Sequence, residues 1–394
     1  MKIATVCSGI GSPELAVENL SNEFGFEYEN VFACEIDKFA RGSYNAIHSC
    51  GTMYNDMTKE QWDQSSQYAD LFIGGIPCQA FSLAGKRLGE KDKRGVLFYD
   101  FYRYVKNQQP KVFIIENVKG LLSDNKGRTF KNWCSLLGQT LNYAHNFFKH
   151  PDCLDYHLHY MVLNTKDFGL PQNRERVFLI GIRPDITFEY QFPKGWPLAK
   201  RLKDVLEAVV DEKYFLSDTA LDYLSKPASG GYSDRLSFLN NENNETAGCI
   251  TANHSKGVPY NCMVVNEPKT LQGNTIVNTI RTGGKGSLTA KHSWDVIVDH
   301  KIIQTARGFN KGGMHKLCPP ITSSSFQNNN YLVSNRIRRL TPLECWRLQG
   351  FPDEAFYKSK SVNSDTQLYK QAGNTISVPV IQAIIRNLLP ILND

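Results

Sequence analysis

Four stretches of this chain place reactive side chains where an α/β protein would gather its chemistry. In GGIPCQAFSLAGKRLGEKDKRG at 74–95, Cys78 follows Pro77 at the expected carboxyl end of a strand, and a loop rich in Gly, Lys and Arg comes next. Strand ends of this kind hold active sites. A free thiol titrates near about 8.5, so a nucleophile needs a nearby cation or helix terminus. Lys86, Arg87, Lys91, Lys93 and Arg94 are close in sequence. ENV at 116–118 closes the run Val112 to Ile115 and puts Glu116 at the same sheet edge as Cys78, so that a thiol and an acid face one pocket. QNRER at 172–176 sets Arg174 and Arg176 on one face of an extended segment, where guanidinium groups suit oxygen or phosphate recognition.

The fourth stretch is GIG at 9–11, between a strand and a helix, where the backbone can approach a ligand closely and free helix N–H groups point at it. Glu35, 24 residues past Gly11, is placed to accept hydrogen bonds from a ribose diol. The third Gly of a dinucleotide fingerprint is absent because position 14 is Glu, and Pro13 does not suit a pyrophosphate that needs N–H groups. A nucleoside cofactor without a pyrophosphate fits better than a nicotinamide dinucleotide. Plainer readings stand beside each: a tight turn with a solvated Glu, a buried inert Cys, a surface ladder of Arg and Glu. HPDCLDYHLHY at 150–160 brings His150, Cys153, His157 and His159 close in sequence. The alternation of Tyr156, Leu158 and Tyr160 with His157 and His159 points instead to a half-exposed strand, and no metal is expected.

The elements that must position these groups read as two halves with a return. From residue 1 to 182, β-branched runs alternate with amphipathic stretches, the pattern of a parallel sheet with crossover helices. Strands are predicted at Ile3 to Cys7, Val31 to Cys34, Asp70 to Gly74, Val112 to Ile115 and Val177 to Ile182. A helix is predicted after Gly11, with Ser12 as N-cap and Pro13 at its first position. Residues 183–337 read as a second, loop-rich domain with NNENNE at 240–245 and a weak repeat, GCITANHSKG and GSLTAKHSWD. From 338 to 394 helix signals return in LTPLECWRLQG and SVPVIQAIIRNLLP, a segment that could close the first domain or stand alone.

The 394 residues, 41% hydrophobic and 21% charged, exclude wholesale disorder and predict two domains. No apolar run approaches the roughly 18 residues of a membrane span, and the amino terminus lacks the continuous apolar segment of a signal peptide. Ten Cys without a CxxC pair fit a reducing, cytoplasmic setting. Net charge is +6, and residues 256–316 carry nine Lys and Arg against three acids, so this one segment accounts for the surplus. Such a balance permits nucleic-acid binding without arguing for it.

Taken together, SGIGSPELA, EID, the Asp56 turn, GGIPCQAFS with AGKRLG and DKRG, IENV, QNRER, LTPLECWRLQGFPD and QAGNTISVPV resemble the ordered motif series of DNA (cytosine-5) methyltransferases of the stand-alone bacterial or phage type. The resemblance spans residues 3 to about 382, except roughly 183 to 337. It implies a class I S-adenosylmethionine-dependent, Rossmann-like fold, with residues 183–337 as the target-recognition domain. Cys78 would add as thiolate to C6 of a flipped cytosine while Glu116 protonates or hydrogen-bonds N3, so that C5 attacks the methyl group. Arg176 would contact O2 and Arg174 would support the site. Gly9, Ile10, Gly11, Glu35, Ile36, Asp56 and Asn374 would hold S-adenosylmethionine, and Gln79, Ser82 and Asn117 the substrate. One departure is Cys7, which stands where the family usually has a Phe packed on the adenine. The implied partners are double-stranded DNA and, in a restriction-modification setting, a cognate endonuclease; the enzyme is expected to be a monomer. A tRNA cytosine-5 methyltransferase and a catalytically silent DNA-binding protein are the competing readings.

Overall fold

The computed structural model describes residues 1–59, 67–76, 97–140, 150–198, 200, 202–215, 301–304, 313–315, 331–333 and 337–393. Its centre is an eight-stranded sheet in the order β3-β2-β1-β4-β5-β8-β7-β6. The strands are β1 (Lys2–Val6), β2 (Glu29–Cys34), β3 (Thr52–Tyr54), β4 (Leu71–Gly74), β5 (Val112–Val118), β6 (Gly138–Thr140), β7 (Tyr156–Asn164) and β8 (Glu175–Ile182). β8 runs antiparallel to both β5 and β7, and the other pairings are parallel. The predicted strands are all present. β3 and β6, three residues each, carry too little periodicity to be read from sequence, and periodicity does not encode the reversed direction of β8.

The sheet alternates its side chains between two layers, as a pleated strand must. Ile3, Ile73, Ile114 and Ile180 face one core with helix α1 (Ser12–Phe24) and the carboxyl-terminal helices. Ala4, Phe72, Phe113 and Leu179 face the other with α3 (Leu97–Gln108) and α4 (Arg128–Leu137). Helix α2 (Lys38–Ile47) follows β2, capped by Asp37, whose side chain accepts from the Phe39 N–H. After residue 340 come α5 (Pro342–Arg347), α6 (Asp353–Lys360), α7 (Asp365–Asn374), α8 (Val378–Arg386) and α9 (Leu389–Leu392). α5 starts with a full capping box between Thr341 and Glu344. α8 packs on α1 and brings Val380, Ile381 and Ile384 into the first core, where each large apolar side chain contributes about 1.5–3 kcal/mol.

Three details differ from expectation. The N-cap of α1 is Gly11, in the left-handed region at φ 81°, and Ser12 lies inside the helix with its hydroxyl turned to that of Thr375. His159 is buried rather than outward-facing, because Tyr190 covers it with ring centroids 5.4 Å apart. Residues 183–215, read from sequence as the start of the second domain, pack into the first core through Tyr190, Val205 and Tyr214. Polar contacts fasten them there: the Glu207 N–H donates to Glu344, and the Tyr214 hydroxyl to Asp365. Within 301–339, β9 (Lys301–Gln304), β10 (Gly313–His315), β11 (Tyr331–Val333) and β12 (Ile337–Arg339) form a separate antiparallel sheet in the order β10-β9-β11-β12, and β12 runs across the expected boundary at 337/338. The repeat at 248–295 lies outside the described residues. No helix among the described residues is long and apolar enough to cross a membrane.

Candidate functional site

The parallel strands β1, β2, β4 and β5 end at one edge of the sheet, and the candidate residues collect there. At the end of β1 the chain turns through Cys7, Gly9 and Gly11 at φ 51°, 58° and 81°. A Cβ built on Gly9 would meet nothing within 4 Å, so the turn opens toward space at that point. Gly11 has no such room, because a Cβ there would lie 2.3 Å from the His48 ring. Ile10 turns its side chain inward and is 1% exposed.

Glu35 closes this turn from the end of β2. Its Oε2 accepts the Gly9 N–H at 2.9 Å and its Oε1 accepts the Asp37 N–H at 2.8 Å. Burial raises its pKa, opposed by those two backbone donors. Each oxygen keeps a further lone pair, the acceptor pair a vicinal diol requires. Beside it Ile36 is 73% exposed. Cys7 places Sγ 3.9 Å from Met57 Sδ, and burial, then the Glu35 charge, pushes its thiol well above the ordinary range, so it is a neutral apolar wall. Asp56 follows β3; Thr58 donates to its Oδ1 from both N–H (3.1 Å) and hydroxyl (2.7 Å), and those bonds hold its carboxyl below the ordinary value. Asn374, the last residue of α7, is exposed. Open space at Gly9, a diol acceptor at Glu35 and a neutral wall at Cys7 and Met57 fit a nucleoside cofactor.

On the other side of β4, Glu116 and Arg176 meet. Arg176 enters on antiparallel β8, opposite Val118, and its Nε lies 3.1 Å from Glu116 Oε1. The approach is off the N–H direction, so this buried oxygen has an ion pair without a directed hydrogen bond. Asn117 is 1% exposed, its Oδ1 accepting the Val118 N–H and its Nδ2 donating to the Ile76 carbonyl at 3.4 Å. Its polar atoms thus tie β5 to the chain after β4. Cys78, two positions beyond Ile76, lies outside the described residues, as do Gln79, Ser82 and the basic loop through Arg94.

Arg174 is not beside Arg176. It is 3% exposed and donates to the carbonyls of Thr375 (2.8 Å) and Gly373 (3.4 Å), gripping the turn that carries Asn374. The expected common face fails because β8 begins only at Glu175; the Arg174 N–H is bent back to Gln172 O and Asn164 Oδ1. Polar residues inside the quoted motifs, to which no role was given, complete the clamp together with Thr165. Gln172 donates to Leu348 O, Gln349 to Ala372 O, and Ser377 bridges Thr165 and Gln349. His150 Nδ1 accepts the Asp152 N–H, and among the described residues no three His, Cys, Asp or Glu side chains gather as metal ligands.

The family model described as C-5 cytosine-specific DNA methylase matches residues 1–389. The chain is 31% identical over 450 residues to the orphan methyltransferase M.SPRI of Bacillus phage SPR, covering 99% of this chain and 97% of that protein. It is 31% identical to the type II methyltransferase M.HpaII of Haemophilus parainfluenzae, over 98% of this chain and 88% of that one. The solved S. pombe Dnmt2 methyltransferase shares the fold, with a TM-score of 0.57 at 20% identity and full coverage of both chains.

Proposed function

The chain belongs to the C-5 cytosine-specific DNA methylase family, and from that premise we propose that it methylates one cytosine within a short specific sequence of duplex DNA, using Cys78 and Glu116 on the base. Its cofactor is S-adenosylmethionine, which when bound supplies an electrophilic methyl group. The observation that carries the residue assignment is the Glu116 and Arg176 pair: a buried carboxylate oxygen without a directed hydrogen bond, one strand over from the segment that leads to Cys78.

In this reading the Cys78 thiolate forms a bond to C6 of the base, and Glu116 supplies or shares the proton at N3. The C5–C6 electron pair then becomes nucleophilic at C5. After methyl transfer a base takes the C5 proton, the double bond re-forms and the thiolate leaves. Arg176 holds Glu116 in place and presents guanidinium N–H groups to O2. The target must leave the stack to reach these groups, at a cost of about a few kcal/mol. The turn 7–11, Glu35 and Asp56 hold the cofactor, with Cys7 and Met57 lining the position that an aromatic ring occupies elsewhere in the family.

The recognition region comprises residues 216–339. Residues 183–215 and 340–393 pack with the catalytic body. The basic surplus of 256–316 contacts phosphates and the polar loops read base edges. The protein acts as a cytoplasmic monomer. The relation to an orphan phage enzyme favours a chain that works without a restriction partner, and the relation to M.HpaII carries the second reading, a cognate endonuclease acting at the same site.

Bisulfite sequencing of unmethylated DNA treated with the protein and S-adenosylmethionine tests this, with Cys78→Ala as control. Protection of one cytosine in one recurrent context, absent in the control, is the expected result. Protection scattered over all contexts would remove sequence specificity, and protection persisting in Cys78→Ala would remove the nucleophile.

A further inference from the structure

Glu14 is a buried carboxylate that the reaction does not use. It sits in the first turn of α1, 1% exposed, behind the turn 7–11 rather than at its open face. Its Oε1 accepts the Thr5 hydroxyl at 2.5 Å and the Tyr44 hydroxyl at 3.0 Å. Oε2 has no partner. A group this deep would be Ala or Leu if the helix needed only packing.

What it orders lies on the other side of Thr5. Thr5 Oγ1 is 2.7 Å from Ser8 Oγ, and Ser8 Oγ accepts the Cys34 N–H at 3.0 Å. Cys34 is the residue before Glu35, and Ser8 the residue before Gly9. A carboxylate accepts only, so the Thr5 proton is committed to Glu14. Thr5 Oγ1 must then accept from Ser8, and Ser8 turns a lone pair to Cys34. Each of the two hydroxyls then accepts once and donates once, in one direction: Cys34 N–H to Ser8, Ser8 to Thr5, Thr5 to Glu14. Without the terminal acceptor both hydroxyls are free to reverse, and Ser8 Oγ can donate instead to the Cys34 carbonyl, 3.2 Å away.

We propose that Glu14 is a positioning residue for the cofactor cradle: as the terminal acceptor it sets the direction of the Ser8 and Thr5 hydroxyls, and so locks Gly9 against Glu35. The proposal rests on the reading of the turn 7–11 and Glu35 as that cradle. Tyr44 and His48, packed beneath Gly11, complete the shelf from α2 and its end.

The test measures S-adenosylmethionine dissociation constants by equilibrium dialysis on the full chain, with KM and kcat alongside. Glu14→Leu raises the cofactor dissociation constant and KM by about tenfold, with kcat at saturating cofactor and KM for DNA within about twofold of the parent. Glu14→Gln keeps the acceptor Oε1 and restores affinity to within about threefold. Because the effect runs through Ser8, Ser8→Ala with Glu14→Leu binds no worse than Ser8→Ala alone, whereas independent structural damage would add. If Glu14→Leu does not fold, Thr5→Val and Ser8→Ala carry the same test against Glu14→Gln. Unchanged cofactor affinity in the folded variants, additive losses in the pair, or a parallel loss of DNA KM and kcat would each overturn the inference. Glu35→Ala serves as reference: if it binds cofactor normally the cradle reading itself is wrong, and if it alone loses affinity only the role of Glu14 is.

Discussion

The cofactor turn and the base-side edge lie on the same rim of the sheet but treat their polar atoms in opposite ways. Around the turn, Glu35 has one backbone donor on each oxygen, and Ser8 is tied to Cys34 by main chain (3.1 Å) and by side chain. At the base-side edge the Glu116 Oε1 is buried with no directed donor. Preorganised dipoles cost nothing at the moment of binding, while an unsatisfied buried oxygen costs about 1–3 kcal/mol until something fills it. On the proposed reading the turn is a preformed receptor, and the Glu116 edge is one that substrate would complete.

The sharpest way to break that contrast is at Glu116. Glu116→Gln keeps the shape and removes the proton-transfer function, so kcat is expected to fall on the order of 10²- to 10⁴-fold. Because the turn is built without Glu116, the cofactor dissociation constant stays as in the parent. A joint loss of kcat and cofactor affinity would mean that the two regions form one unit.

The next effect in size separates two arginines that are two positions apart. Arg174→Met strands the Gly373 and Thr375 carbonyls in a buried clamp and is expected to cost about 3 kcal/mol of stability. Arg176→Met leaves that clamp intact; its loss appears in turnover on DNA, with a stability cost, from the largely buried Glu116 left without its cation, smaller than that of Arg174→Met. Chemical denaturation and steady-state rates on both variants decide it. Equal stability losses would put Arg176 in the same structural network.

That pair also marks where sequence stops being informative. Strands and helices followed from alternation, Pro13 and the capping signals because those features are local. The Glu116 and Arg176 meeting depends on β5 and β8 lying side by side, which neither the edge position of ENV nor the QNRER segment encodes; only the resemblance put both residues on one base. Arg174 did not follow, because spacing of two implies one face only in a regular strand, and residues 172–174 are bent. Gln172 reaching Leu348 across 176 positions, or Ser12 meeting Thr375, leaves no periodic trace. Residues 183–215 likewise read as part of the second domain, because regular periodicity fades after residue 182, while their few aromatics fill the first core.

The smallest expected effect concerns Glu14 and sharpens the contrast by asking what a preformed receptor costs. Burial raises its pKa to about 6 from an ordinary 4.5, against hydrogen bonds from Thr5 and Tyr44 that pull it down. A carboxyl whose folded value is raised binds more protons folded than unfolded between those two values, so stability falls as pH rises through the interval and is then level. The full cost of keeping Glu14 ionised is on the order of 2 kcal/mol, of which about 1 kcal/mol accrues between pH 5 and 7.5. The groups facing it do not change charge in that window: Tyr28, Tyr44 and Cys50 are raised, and His48 is pushed down to about 4 by burial. Glu14→Gln removes the titration, so its stability relative to the parent is expected to rise by about 1 kcal/mol from pH 5 to pH 7.5, measured by urea unfolding at both. A pH-independent difference would place the Glu14 charge in contact with water, and with it the acceptor end of the Ser8 and Thr5 chain.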